Sequence, residues 1–139
     1  KEISIEGYHM THSKGLKPSV QLRLNIHGKS YDASATGNGQ YDSFMKAVKK
    51  IYKSRKKELP KLIDFHVSIP PGGKTDAFVE TVISWDFGKI FKTKGLDPDQ
   101  TVAAMMATEK MLNIIETLNQ ATCSEEPKTY ENEYRVIAG

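Results

Sequence analysis

From residue 20 to residue 26 the chain alternates strictly. Val20, Leu22, Leu24 and Ile26 are apolar, and Gln21, Arg23 and Asn25 are polar. A period of two with one wet face predicts a half-buried antiparallel strand. A short strand is expected before it, over residues 7–11, across a connection punctuated by Gly15 and Pro18. Gly28 turns the chain, and residues 29–36 return as a third strand with Tyr31, Ala33 and Ala35 on one face. The period then changes. Phe44, Ala47, Val48, Ile51 and Tyr52 fall at i, i+3, i+4, i+7 and i+8, one apolar stripe of a helix lying on a sheet. That helix is expected to end near Lys57, before Pro60.

The same sequence of periods then starts again. Ile63, Phe65, Val67 and Ile69 are expected on one face of a strand over residues 62–69. A sharp loop follows at Pro70, Pro71, Gly72 and Gly73. Residues 76–87 predict a long strand with Ala77, Val79, Thr81, Ile83, Trp85 and Phe87 on one side. After Gly88 a short extended piece covers residues 89–93. Asp97 reads as the N-cap of a second helix, with Pro98 at its first position and Gln100 closing a capping box. Ala104, Thr108, Met111, Leu112, Ile115 and Leu118 form its buried stripe. Beyond residue 120 the periodicity fades, so residues 120–139 read as a tail.

Local echoes join the two halves. Gly7-Tyr8-His9-Met10 resembles Asp64-Phe65-His66-Val67, and Gly28-Lys29-Ser30-Tyr31 resembles Gly88-Lys89-Ile90-Phe91. Asp42 with Ala47 is matched to Asp99 with Ala104. The expected fold is therefore α+β: two βββα repeats, about 5–58 and 62–119, whose antiparallel sheets are packed by two helices. Apolar surface left over by such units suits a two-fold dimer.

The chemistry gathers where strand gives way to helix. Gly37 and Gly39 flank Asn38, which predicts positive φ and close approach of a ligand to the backbone. The first helical amides lack intrahelical partners and form a donor-lined site for a carboxylate or phosphate. A degenerate second copy lies at residues 94–106, with Gly95 and Asp97 in its turn. No metal or acid–base centre is expected. His9 and His12 are three apart on extended chain, His27 adjoins a turn, and His66 lies on the polar side of its strand. No catalytic residues are assigned.

Composition changes this picture little. At 139 residues the chain is long enough for one domain or two small fused halves. No apolar run approaches the roughly 18 residues that span a bilayer. The start has no signal-peptide layout, and it opens on Lys1, which fits a piece of a longer protein. Cys123 is the single cysteine, as in a reducing, cytoplasmic compartment. The net charge of +3 has one source: Lys46, Lys49, Lys50, Lys53, Arg55, Lys56, Lys57 and Lys61 cluster with only Glu58 among them. A solvated helix face explains it, with cations at the negative end of the dipole; a nucleic-acid-binding module is the alternative.

The stretch Ala35-Thr36-Gly37-Asn38-Gly39-Gln40-Tyr41-Asp42 resembles the Gly-Asn-Gly segment of the 2-isopropylmalate synthase regulatory domain. Residues 62–67 and 72–113 resemble that domain's second half. The resemblance covers roughly residues 5–119 and extends to citramalate synthases. It implies an allosteric and dimerisation domain over residues 1–119, attached to a catalytic barrel that condenses acetyl-CoA with a 2-oxo acid. It implies feedback control by leucine or a similar branched-chain amino acid, a homodimer, and no cofactor in this domain. Gly37, Asn38 and Gly39 fall on the family's glycine turn, Asp42 on its aspartate, and Phe65 on the aromatic of its second-half strand. Gln40 stands where the family usually has proline, and Tyr41 where it usually has a small aliphatic residue that would leave a wider pocket. An amino-acid effector needs amides for its carboxylate, an acceptor such as Asp42 for its ammonium, and an apolar slot for which Phe65, Ile69 and Ala77 are candidates. A ligand-free dimerisation domain is the remaining alternative.

Overall fold

A computed structural model describes residues 2–69 and 78–124, with side chains as far as residue 119. The chain divides into two compact units, Lys1–Leu59 and Pro60–Gly139. Each is a three-stranded antiparallel sheet followed by a helix, so the βββα duplication expected from the sequence is present.

In the first unit β1 (Ile3–Thr11), β2 (Ser19–Ile26) and β3 (Lys29–Thr36) pair in that order. β2 is central, and its four alternating apolar residues are all buried. His27 and Gly28, both at positive φ, make the two-residue hairpin between Ile26 and Lys29. β1 is longer than the residues 7–11 expected, because its register shifts between Ile5 and Gly7. The bulge at Glu6 moves the inward positions from Ile3 and Ile5 to Tyr8 and Met10. A reading that requires unbroken alternation stops at that point.

Helix α1 (Gln40–Ser54) buries the expected stripe of Phe44, Ala47, Val48, Ile51 and Tyr52 against β2 and β3. It ends three residues before Lys57. Lys56 N–H donates to the Lys53 carbonyl, Lys57 N–H donates to that of Tyr52, and Lys56 takes φ 58°. This is a Schellman ending with lysine where glycine is usual.

The second unit repeats the plan with β4 (Lys61–Ser68), β5 (Val79–Asp86), β6 (Ile90–Asp97) and α2 (Gln100–Ser124). Thr81, Ile83 and Trp85 are buried as expected, and Trp85 Nε1 donates to Thr93 Oγ1 at 2.9 Å. The proposed strand start at Asp76 and Ala77 lies outside the described residues. Two expectations are corrected. Ile63 does not share a face with Phe65, because β4 carries its own bulge between Leu62 and Asp64 and it is Leu62 that pairs with Trp85. β6 runs to Asp97 rather than Thr93, since Phe91, Thr93 and Gly95 all turn inward beneath α2.

The repeat is exact neither in spacing nor in its aspartates. The two bulges lie 57 residues apart, but the helices start 60 apart, at Gln40 and Gln100. Asp42 therefore does not correspond to Asp99. Asp42 is the third residue inside α1, whereas Asp99 precedes α2.

Candidate functional site

The turn between β3 and α1 brings together five of the residues singled out above: Gly37, Asn38, Gly39, Tyr41 and Asp42. Neither glycine adopts the positive φ expected of it; the described glycines with positive φ are Gly15, Gly28 and Gly88. The two glycines have different physical roles. A Cβ on Gly37 would stand 2.5 Å from Asp42 Oδ2, 2.6 Å from Ser43 N and 2.9 Å from Ser43 Cα. Gly37 is required because the helix start is packed onto it, and its N–H is tied to the Pro18 carbonyl at 3.0 Å. Gly39 is the N-cap of α1 in an extended conformation, φ −145° and ψ 175°. A Cβ there would meet nothing within 4 Å.

A glycine N-cap contributes no side-chain oxygen to the first turn of the helix. Asp42 instead reaches back from inside the helix to the residue before the cap. Its Oδ2 accepts the Asn38 N–H at 2.8 Å and lies 3.4 Å from Lys46 Nζ. The Asn38 bond holds the Asp42 carboxyl below its ordinary value, with Lys46 and then Lys49 adding to the effect. Both contacts use the same oxygen, so Oδ1 keeps acceptor capacity for a cation. Tyr41 packs its ring on Phe44 at 5.9 Å and 31°. The result is a helix N-terminus without a side-chain cap, a carboxylate and an aromatic ring within six residues.

The second turn is built differently, which corrects the capping box read from the sequence. Asp97 stays in register with Val79 as the last residue of β6, and its Oδ2 accepts the Asp99 N–H at 2.9 Å. Asp99 is the N-cap. Its Oδ1 accepts the N–H groups of Thr101 at 2.8 Å and Val102 at 3.1 Å. Pro98 thus precedes the cap, and Gln100 is the first helical residue rather than the third. The amides expected to receive an anion near Asp97 are already occupied by the chain's own carboxylate. Gly95 also has a packing role. A Cβ there would run into the Ala103 carbonyl group, with its carbon at 2.8 Å and Ala107 N at 3.0 Å.

The apolar candidates belong to the second unit. Phe65 lies on β4, across β5 from Gly95 and Asp97 on β6, and Ile69 follows β4 and is exposed. Ala77 is outside the described residues.

One concave surface escaped the sequence reading. On the outer face of the first sheet, Glu6, Gly7, His9, Gln21, Arg23, Ser30, Asp32 and Ser34 line a cavity of about 670 Å³. Arg23 donates to Asp32 through Nε at 2.7 Å and Nη2 at 3.2 Å, which lowers the Asp32 pKa. Glu6 accepts from Ser30 Oγ at 2.6 Å and Asn25 Nδ2 at 3.3 Å, and its pKa is lowered by these bonds. Arg23 and Asp32 satisfy one another, and Glu6 is held by neutral donors. The signal was the polar half of the alternation, which carries no ligand signature by itself. Among the described residues no three His, Cys, Asp or Glu side chains gather as a metal would need, and no described helix is long and apolar enough to cross a membrane.

Comparison with known proteins agrees with the fold. Residues 1–116 match the family described as the LeuA allosteric (dimerisation) domain. The chain is 26% identical over 112 residues to a 2-isopropylmalate synthase of Aquifex aeolicus, covering 80% of this chain and 21% of that protein. It is 27% identical over 116 residues to a putative (R)-citramalate synthase of Archaeoglobus fulgidus, covering 83% and 23%. A putative (R)-citramalate synthase of Methanosarcina acetivorans shares 25% over 112 residues, covering 80% and 23%. The chain thus spans under a quarter of the length of these relatives. Because that family match spans residues 1–116 of the 139, the chain belongs to the LeuA allosteric (dimerisation) domain family.

Proposed function

We propose that this chain is the effector-sensing domain of an isopropylmalate-synthase-type acyltransferase. It binds leucine or a similar branched-chain amino acid and lowers the turnover of an attached catalytic barrel. It acts as a cytoplasmic homodimer and needs no cofactor of its own. The observation that carries this reading is the asymmetry between the two turns. The first helix begins at a glycine that provides no side-chain cap and has room for a Cβ, whereas the second begins at an aspartate that occupies its own amides. A helix N-terminus with no side-chain cap is suited to a carboxylate. The remaining capacity of Asp42 accepts an ammonium, and the Tyr41 ring limits the width of the side-chain slot. Inhibition follows if the effector binds one arrangement of the protomers more tightly than another.

Calorimetric titration with leucine, isoleucine and valine tests this reading. Saturable heat from one of them, lost in Gly39→Val, supports it. No heat from any of the three, with a dimer still present, refutes the sensor and leaves a ligand-free dimerisation domain.

A further inference from the structure

Lys46, Lys49, Lys50 and Lys53 stand on the solvent side of α1 at i, i+3, i+4 and i+7, and Lys56 and Lys57 follow its end; all six are exposed. The duplication supplies an internal control. α2 starts 60 residues after α1, at Gln100 rather than Gln40. The four helical lysines therefore correspond to Met106, Glu109, Lys110 and Asn113. Only the third position keeps a lysine, and that lysine has the same structural task in both units. Lys50 Nζ donates to the Ser34 carbonyl of β3 at 2.6 Å, and Lys110 Nζ donates to the Lys94 carbonyl of β6 at 2.7 Å. Both strands are sheet edges, so each lysine ties its helix to an edge. At the other three positions the second unit uses a thioether, a carboxylate and an amide, so the βββα plan does not require lysine there. The first unit does not neutralise these charges either. Lys46 lies 3.4 Å from Asp42 Oδ2, but Lys49, Lys53, Lys56 and Lys57 make no ion pair or side-chain hydrogen bond among the described residues. Lys46 with Lys50, and Lys49 with Lys53, are like charges one turn apart and repel.

We propose that the lysine face of α1 is an interaction surface for an acidic protein partner, whose carboxylates neutralise the cations that the first unit leaves unpaired. Charge complementarity defines the partner: residues 46–61 carry eight cations against one anion, Glu58. Two observations favour the carboxylates of a protein over the phosphates of a nucleic acid. Arginine is the side chain whose planar fork holds a phosphate through two bonds. The one arginine of this stretch, Arg55, is instead laid over the Tyr31 and Tyr52 rings, 5.6 and 5.7 Å from their centroids. Unpaired bases stack on exposed aromatic rings, and the one aromatic residue of the stretch, Tyr52, is buried. What remains exposed is a row of ammonium groups on flexible stems, spread over about 10 Å of helix from Lys46 to Lys53. Such a row steers an acidic surface into place and is screened by salt. The proposal is independent of effector binding.

The test is fluorescence anisotropy of two labelled probes of equal charge, a glutamate-rich peptide and a double-stranded oligonucleotide, each titrated with the whole chain. The peptide is expected to bind the more tightly, and its affinity is expected to fall as salt rises from about 0.05 to about 0.3 M. Lys49→Glu with Lys53→Glu is expected to weaken peptide binding at least about tenfold. Lys14→Glu with Lys92→Glu changes the net charge equally at exposed lysines outside α1 and is expected to leave binding within about twofold of the parent. Circular dichroism checks that the variants fold, and Lys49→Gln with Lys53→Gln gives the same reading at smaller amplitude if the glutamates do not. Three results would overturn the proposal: no peptide binding at the lowest salt, equal losses in the α1 variant and its charge-matched control, or tighter binding of the oligonucleotide than of the peptide.

Discussion

The two glycines of the turn allow fold and binding to be separated. In Gly37→Ala the new methyl group would lie 2.5 Å from Asp42 Oδ2 and 2.6 Å from Ser43 N. Ordinary contact needs about 3.5–4.0 Å, so the start of α1 must move by roughly 1 Å. It resists this movement because Phe44, Ala47 and Val48, directly after it, are fully buried. Overpacking strain of about 1–3 kcal/mol adds to loss of the charge-assisted Asn38–Asp42 bond, worth about 1.5–3 kcal/mol. Against this, alanine restricts the unfolded chain by about 0.4–1 kcal/mol. The expected net loss is about 2–5 kcal/mol. In Gly39→Ala nothing is met within 4 Å and the backbone is already extended. The poorer cap and the stiffer unfolded chain nearly cancel, leaving a change within about 0.5 kcal/mol. Hydrogen exchange of the α1 amides gives the stability of the first unit directly, since Trp85 reports on the second. Titration with leucine on the same samples gives binding. If Gly37→Ala is as stable as the parent, or Gly39→Ala loses as much as Gly37→Ala, the assignment of structural and ligand-facing glycines is wrong.

Other predictions follow from the same geometry. Asp99→Ala removes two amide bonds from the start of α2 and is expected to cost about 1 kcal/mol, measured by urea denaturation of Trp85 fluorescence. Lys56→Gly relieves a left-handed lysine at the end of α1 and is expected to raise the exchange protection of the last turn by about 0.5–1 kcal/mol. Gly95→Ala drives a methyl group into the backbone of α2 and is expected to destabilise the second unit by at least about 3 kcal/mol, seen in the same urea titration. Asp42 has a lowered pKa, so its contribution to α1 is present at neutral pH. That contribution is lost as pH falls from the ordinary carboxylate value, about 3.9, through the lower folded value. Amide exchange of residues 38–46 should track that loss, and Asp42→Asn should abolish it.

Much of the architecture is legible in the residue pattern. Alternation locates β2, the 3.6-residue period locates both helices, and every residue expected in their stripes is buried, joined by Ser43 and Met45 on α1 and by Ala103, Met105, Ala107 and Glu116 on α2. Period and burial are local consequences of side-chain direction, so they need no knowledge of neighbours. The misreadings of β1 and β4 share one cause. At Glu6 and Ile63 a bulge inserts one residue and reverses the inward face, and only a partner strand reveals that the extra residue is unpaired.

The sequence alone determined that two βββα units exist and that a glycine turn leads into a helix. Tertiary structure decided what each glycine does. Gly37 and Gly95 are demanded by backbone packed against them, whereas Gly39 is not, and no local pattern distinguishes a crowded glycine from an open one. It also decided that Asp99 rather than Asp97 caps α2, because pairing with Val79 holds Asp97 in the sheet. Steric demand and hydrogen-bond assignment depend on which distant atoms arrive at a position, and that is fixed only once strand and helix have packed together.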